Sequence, residues 1–162
     1  MLSTKHPVLQ RRETPHTHSV MGGSIAVRLR AGETGGRLGM IENVIPPGFG
    51  NLPLHVHPDF DEAFYVLEGE LTFRVGGEVI AAGAGTLVYV PGDVPHTFAE
   101  LGGERPARFL LCVTPGGHEG YFEELAAAAL ASPAGYPDAE ALQRMMAEHG
   151  ITTVGGNDPR EA

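Results

Sequence analysis

Three imidazoles and one carboxylate carry the chemistry of this sequence. His55 and His57 flank Val56, Glu62 follows five positions after the second histidine, and His96 closes the run Pro91-Gly92-Asp93-Val94-Pro95-His96. In an extended segment alternate side chains face the same way, so His55 and His57 share a face that Val56 does not. Glu62 can enter from the start of a following strand, after a turn through Pro58-Asp59-Phe60-Asp61. His96 comes from a later strand, beyond Pro91. Neutral imidazole binds Zn, Cu, Fe and Ni, and a carboxylate adds a hard anionic oxygen. Together these groups are expected to hold one divalent ion and leave part of its coordination free, which separates a catalytic metal site from a closed structural one. No cysteine belongs to the set. The choice among Fe, Mn, Co, Ni, Cu and Zn stays open, because affinity and geometry overlap for these ligands.

Such a site needs strands that converge. Period-two alternation first shows at residues 24–30, where Ile25, Val27 and Leu29 oppose Ala26, Arg28 and Arg30. Further short strands are expected at 38–45, 54–57, 63–67, 71–75, 79–81, 86–90, 97–100 and 108–114. A glycine-rich turn is expected at 31–36, and Glu68-Gly69-Glu70 and Gly76-Gly77 read as hairpin turns. So many short strands at even spacing predict an all-β sandwich or barrel. By parity Phe64 and Val66 share the face of Glu62, and with Phe98 they are the candidate substrate-binding residues, lining a dry pocket.

Helix is expected only late. Residues 121–131 are rich in Glu, Leu and Ala, with Phe122, Leu125 and Ala129 on one face. Asp138 reads as the N-cap of a second helix that Gly150 stops, with an apolar stripe of Leu142, Met145 and Met146. Both helices are expected to pack on the barrel. The organisation is then an arm or edge strand at 1–20, a barrel at 21–116, two helices within 117–154 and a flexible tail at 155–162. His16 and His18 alternate but have no near third ligand, so they read as surface histidines. His118 and His149 read as solvated groups at helix ends.

The bulk numbers narrow the partners. A length of 162 residues with 42% hydrophobic residues suits one domain with one core. The net charge of -9 disfavours nucleic acid and anionic lipid as partners. The single cysteine, Cys112, sits in an apolar run, so no intrachain disulfide is expected. Residues 1–12 lack the apolar segment of a secretory signal, and no run approaches the ~20 residues that span a bilayer. A cytoplasmic protein is the expectation.

The two ligand segments also resemble a known family. Gly50-x4-His55-x-His57-x4-Glu62-x6-Gly69 resembles the first cupin motif, and Gly85-x5-Pro91-x4-His96 resembles the second. The glycine before His55 is one position closer than the usual pattern. Asp93 stands where a glycine is usual, and Glu100 where asparagine is frequent. The resemblance spans residues 38–114. It implies a small double-stranded β-helix barrel of jelly-roll type, often a homodimer, with a metal ion on His55, His57, Glu62 and His96. The Gly-Tyr-Phe-Glu-Glu helix after a single barrel is similar to bacterial quercetin-dioxygenase-like cupins.

Three functions suit these residues. The first is an oxygenase, quercetin 2,3-dioxygenase-like, that uses O2 on a small enolic or phenolic substrate with Glu62 as ligand and general base. The second is a non-oxidative isomerase, cyclase or lyase in which the ion only polarises a carbonyl. The third is a non-catalytic module that binds a small molecule.

Overall fold

The computed structural model describes residues 7–9, 17–20, 22–50, 52–156 and 158–160. Two antiparallel sheets face each other. The larger contains β1 (Thr17–Val20), β2 (Gly23–Leu29), β3 (Gly39–Ile45), β5 (Asp61–Glu68), β8 (Leu87–Val90) and β10 (Ala107–Thr114), in the order β1-β2-β3-β10-β5-β8. The smaller contains β4 (His55–Val56), β6 (Glu70–Val75), β7 (Glu78–Gly83), β9 (His96–Ala99) and β11 (Thr152–Thr153), in the order β11-β4-β9-β6-β7. Strands adjacent in sequence repeatedly fall in opposite sheets, so the ligands of the first and second motifs meet across the interior.

Burial alternates along β3, β5 and β10, but not in the stretch 24–30 where alternation was expected: Ile25, Ala26 and Val27 of β2 are buried in succession. Along β3 the buried residues are Gly39, Ile41, Asn43 and Ile45, and along β10 they are Ala107, Phe109, Leu111 and Val113. On β5 Glu62, Phe64 and Val66 point inward. Cross-strand pairing then builds rows. Val113, Glu62 and Val90 form one, Ile41, Leu111, Phe64 and Val88 the next, and Ile25, Asn43, Phe109 and Val66 a third. Phe64, Phe73, Phe98 and Phe109 meet at ring-centroid separations of 5.1 to 5.9 Å, the range of edge-to-face and tilted aromatic packing. On the outer face, Tyr65, Leu87 and Tyr89 are exposed on β5 and the edge strand β8.

Two helices follow the barrel, α2 (Glu119–Ala131) and α3 (Ala139–Glu148). The Asp138 side chain caps α3 by accepting from Ala141 N at 2.8 Å, and Leu142, Met145 and Met146 are buried, as the stripe requires. α2 lies against β1, β2 and β3 and closes that side of the interior.

Several expectations change. The glycine-rich turn at 31–36 contains a one-turn helix, α1 (Ala31–Thr34), ended by Gly35 with φ 65°. Two carboxylates hold it. Glu33 accepts from Arg30 N, and Glu119, at the start of α2, accepts from Ala31 N at 2.7 Å. Thr152 and Thr153 form β11 against β4, and Gly155 and Gly156 exchange backbone hydrogen bonds with Leu54, so the expected tail begins as part of the sheet edge. Residues 17–20 of the expected arm form the edge strand β1, on which His18 is exposed. His6 and His16 lie outside the described residues. Among the described residues no helix is long and apolar enough to cross a membrane.

Candidate metal centre and its cavity

The two motifs are joined by their turns. Gly92 packs against the Pro58–Phe60 turn so closely that a Cβ there would lie 3.0 Å from Pro58 O and 3.2 Å from Phe60 O. Asp61 accepts from Gly92 N at 2.8 Å, and Asp93 N donates to His57 O at 3.1 Å. Asp93 adopts φ 65°, the left-handed conformation that a glycine would take at no steric cost. These contacts set the exit of β4, the entry of β5 and the approach to β9 in one place. His55 and His96 pair directly across β4 and β9.

His55, His57, Glu62 and His96 are all buried, and one ligand atom from each lies within 4.8 Å of every other. Each imidazole is oriented by the main chain. Nδ1 of His55, His57 and His96 sits 2.9 Å from the carbonyl oxygens of Pro53, Phe60 and Val94 respectively. A carbonyl can only accept, so each Nδ1 carries its proton and each neutral ring presents an Nε2 lone pair. These lone pairs converge. His57 Nε2 lies 3.3 Å from His96 Nε2, and both approach Glu62 Oε2, at 3.2 and 3.0 Å.

Lone pairs gathered against a carboxylate call for a cation. Two atoms each about 2.1 Å from a shared ion lie about 3.0 Å apart at a right angle and about 3.4 Å apart at a tetrahedral angle. The separations among His57, His96 and Glu62 fall in that interval, with His55 completing the set within 4.8 Å, so the donor set suits a divalent ion in charge and tautomer. Without the ion a proton has to fill the role. Burial opposes the charged forms, but Glu62 is nevertheless held well below the usual carboxylate range by His57 and His96, and His57 is pushed up by Glu62. His55 goes the other way, down to about 4, because it is buried beside His96.

Above the four ligands opens a cavity of about 90 Å³, which suits a small molecule and not a polymer. Its wall is aromatic: Phe49, Phe64, Phe98 and Phe109 from the barrel, Tyr121 and Phe122 from α2. His55 and Glu62 reach it, and no Lys, Arg or Asp is among the described residues that line it. Of the three expected substrate-binding residues, Phe64 and Phe98 line the cavity. Val66 is fully buried but lies outside the lining.

Two lining residues were missed by the sequence reading. His118, read as a solvated helix end, is 7% exposed. It stacks on Tyr121 at 5.1 Å and against Phe60 at 4.4 Å, and Phe60 in turn stacks on His57 at 3.8 Å. Burial lowers His118 to about 4, so it is a neutral imidazole at ordinary pH. Nothing local in the sequence marks it, because the covering comes from Phe60, far earlier in the chain. Asn43 is 5% exposed, and its Nδ2 has no hydrogen-bond partner among the described residues. An unpaired buried donor of this kind costs about 1–3 kcal/mol. Its signal was legible: a single amide between Ile41 and Ile45 in an inward-facing row.

Comparison with known proteins identifies the fold. Residues 42–114 match the family described as the Cupin domain, a span that contains all four ligands. An uncharacterized protein of Methanocaldococcus jannaschii is 30% identical over 76 residues, which cover 47% of this chain and 59% of that protein's length. Among solved structures, a predicted oxalate decarboxylase of Thermotoga maritima superposes with a TM-score of 0.57 at 25% identity, covering 67% of this chain and 99% of that one. The Streptomyces nucleoside dehydratase Pac13 superposes with a TM-score of 0.56 over 95% of this chain and 98% of its own, at 13% identity, a likeness of fold alone. The structure is therefore a cupin barrel, a double-stranded β-helix, with a buried His3Glu cluster suited to a metal ion. Two helices extend it past the matched domain.

Proposed function

We propose that this protein is a metal-dependent cupin enzyme, an oxygenase of the quercetin 2,3-dioxygenase-like kind, that acts on a small enolic or phenolic molecule. One observation carries the reading: the cluster of His55, His57, Glu62 and His96 meets, through His55 and Glu62, an aromatic cavity with no Lys or Arg among the described residues that line it. A bound divalent ion would supply a Lewis acid for an acidic hydroxyl and, if redox-active, a route for electrons to O2. Glu62, the one carboxylate among the four, takes the hydroxyl proton. Phe64 and Phe98 hold a flat substrate and keep water away from it. An anionic group remote from the four ligands would be buried without a counter-charge, which favours uncharged substrates.

Elemental analysis of protein purified without added metal, followed by O2 uptake with a panel of small enols and phenols, tests this. Stoichiometric metal with substrate-dependent O2 uptake supports it. Protein that takes up no Fe, Mn, Co, Ni, Cu or Zn, or that consumes no O2 with any of them, refutes it. His118 favours a second reading, a non-oxidative isomerase, cyclase or lyase, because a neutral imidazole on the wall can move a proton without leaving the ion. Turnover under strict anaerobiosis separates the two. The homodimer belongs to the same proposal, with the exposed Tyr65, Leu87 and Tyr89 face covered by a second copy, and sedimentation as a monomer at micromolar concentration counts against it.

A further inference from the structure

Asn43 is the one buried side chain among the described residues with a polar atom left wholly unpaired. It sits in the row Ile25, Asn43, Phe109 and Val66, two rows along the sheet from Glu62. Phe109 and Val113, which mark those rows on β10, are four residues apart, or about 13 Å of strand. The amide thus lies in the cavity wall well away from the four ligands, among Ile25, Ile45 and Phe109. An inward position between two isoleucines would pack better as a third apolar residue, so the amide needs a partner that the described residues do not provide. Rotation about χ2 exchanges its two ends, so the group can offer the cavity a donor or an acceptor. No charged side chain stands near it in the lining.

We propose that Asn43 is a specificity residue that hydrogen-bonds an uncharged oxygen, a ketone or hydroxyl, on an otherwise apolar ring-bearing substrate. That oxygen is distinct from the one held at the histidines and Glu62, so the substrate carries oxygen at both ends. This deepens the reading of a small enolic or phenolic substrate and rests on it for the reaction, but the recognition itself needs no ion.

The test uses full-length protein, as purified and after chelation, with three matched probes: ethylbenzene, acetophenone and 1-phenylethanol. Ligand-observed NMR titrations compare wild type with Asn43→Leu, which keeps the branched outline of the side chain. The wild type is expected to prefer the two oxygenated probes, and Asn43→Leu to lose about tenfold in affinity for them while binding ethylbenzene as well or better. The Tm of Asn43→Leu is expected to stay level or rise, since an unpaired donor is gone. Equal losses for all three probes, no loss for the oxygenated pair, or a fall in Tm with probe preference intact would each overturn the proposal. If leucine prevents folding, Asn43→Val is read by the same criteria. Because the chelated protein serves equally well, a failure here is distinct from a failure of the metal reading, which elemental analysis decides.

Discussion

The Asp61 carboxylate accepts the backbone N–H of Gly92 at 2.8 Å with one oxygen and the hydroxyl of Tyr89 at 2.8 Å with the other. Asp61 is the neighbour of Glu62, and Gly92 belongs to the turn that delivers His96. The hydrogen bond from Gly92, and then that from Tyr89, holds Asp61 below the usual carboxylate range. Asp61→Ala is expected to weaken metal binding about tenfold, as loss of a supporting contact does in metal sites. Tyr89→Phe removes only the outer bond and is expected to leave it nearly unchanged. Competition with a metallochromic chelator measures both.

Gly92 has little room for a methyl group, because three backbone oxygens would have to give way. Besides the contacts to Pro58 and Phe60, its Cβ would lie 3.4 Å from His57 O. Gly92→Ala should therefore push the two turns apart, with a loss of about 1–3 kcal/mol in denaturant unfolding and weaker metal uptake alongside.

Glu100 stands where the family pattern often has asparagine. It is 2% exposed, and its oxygens accept from the backbone N–H groups of Gly48, Gly102 and Gly103. This ties the loop before the first motif to the loop after β9. In Glu100→Gln one acceptor oxygen becomes an NH2 facing backbone donors. The expected cost is about 1–3 kcal/mol, read by chemical denaturation with the metal removed.

His118 gives a pH signature. Its folded value of about 4 lies below the ordinary 6.5, so between these values the unfolded chain binds the extra proton. The contribution is fully present above pH 6.5 and is lost as pH falls toward 4, with a slope of at most about 1.4 kcal/mol per pH unit. His118→Phe keeps the stacking and cannot titrate, so its stability should fall less steeply over that window. His55, also lowered to about 4, keeps part of the slope in metal-free protein. A stability–pH series on both proteins checks the difference.

Much of this was legible because strands alternate. Inward parity on β5 put Phe64 on the face of Glu62, and ligand spacing placed His55, His57, Glu62 and His96 in one cluster, whereas no such facing was read for β3 or β10. Parity fixes the face of a residue but not its depth. Val66 therefore shares the face of Phe64 and still misses the cavity, although its row partners Ile25, Asn43 and Phe109 line it. α1 was read as a turn because its stability comes from Glu119, distant in sequence. β11 is two residues long and exists only by pairing with β4, so no periodicity could reveal it. His118 was misjudged because a helix end is ordinarily wet, and here Phe60 and Tyr121 enclose it.

The three imidazole rings are aimed by carbonyl groups at Pro53, Phe60 and Val94, and every residue type has a carbonyl. Replacing those side chains leaves the aiming groups in place as long as the chain path holds. The lining of the chamber can then be rewritten for new guests without retuning how the rings are pointed. A barrel wired in this way separates what it grips the ion with from what it selects by, and each can drift alone.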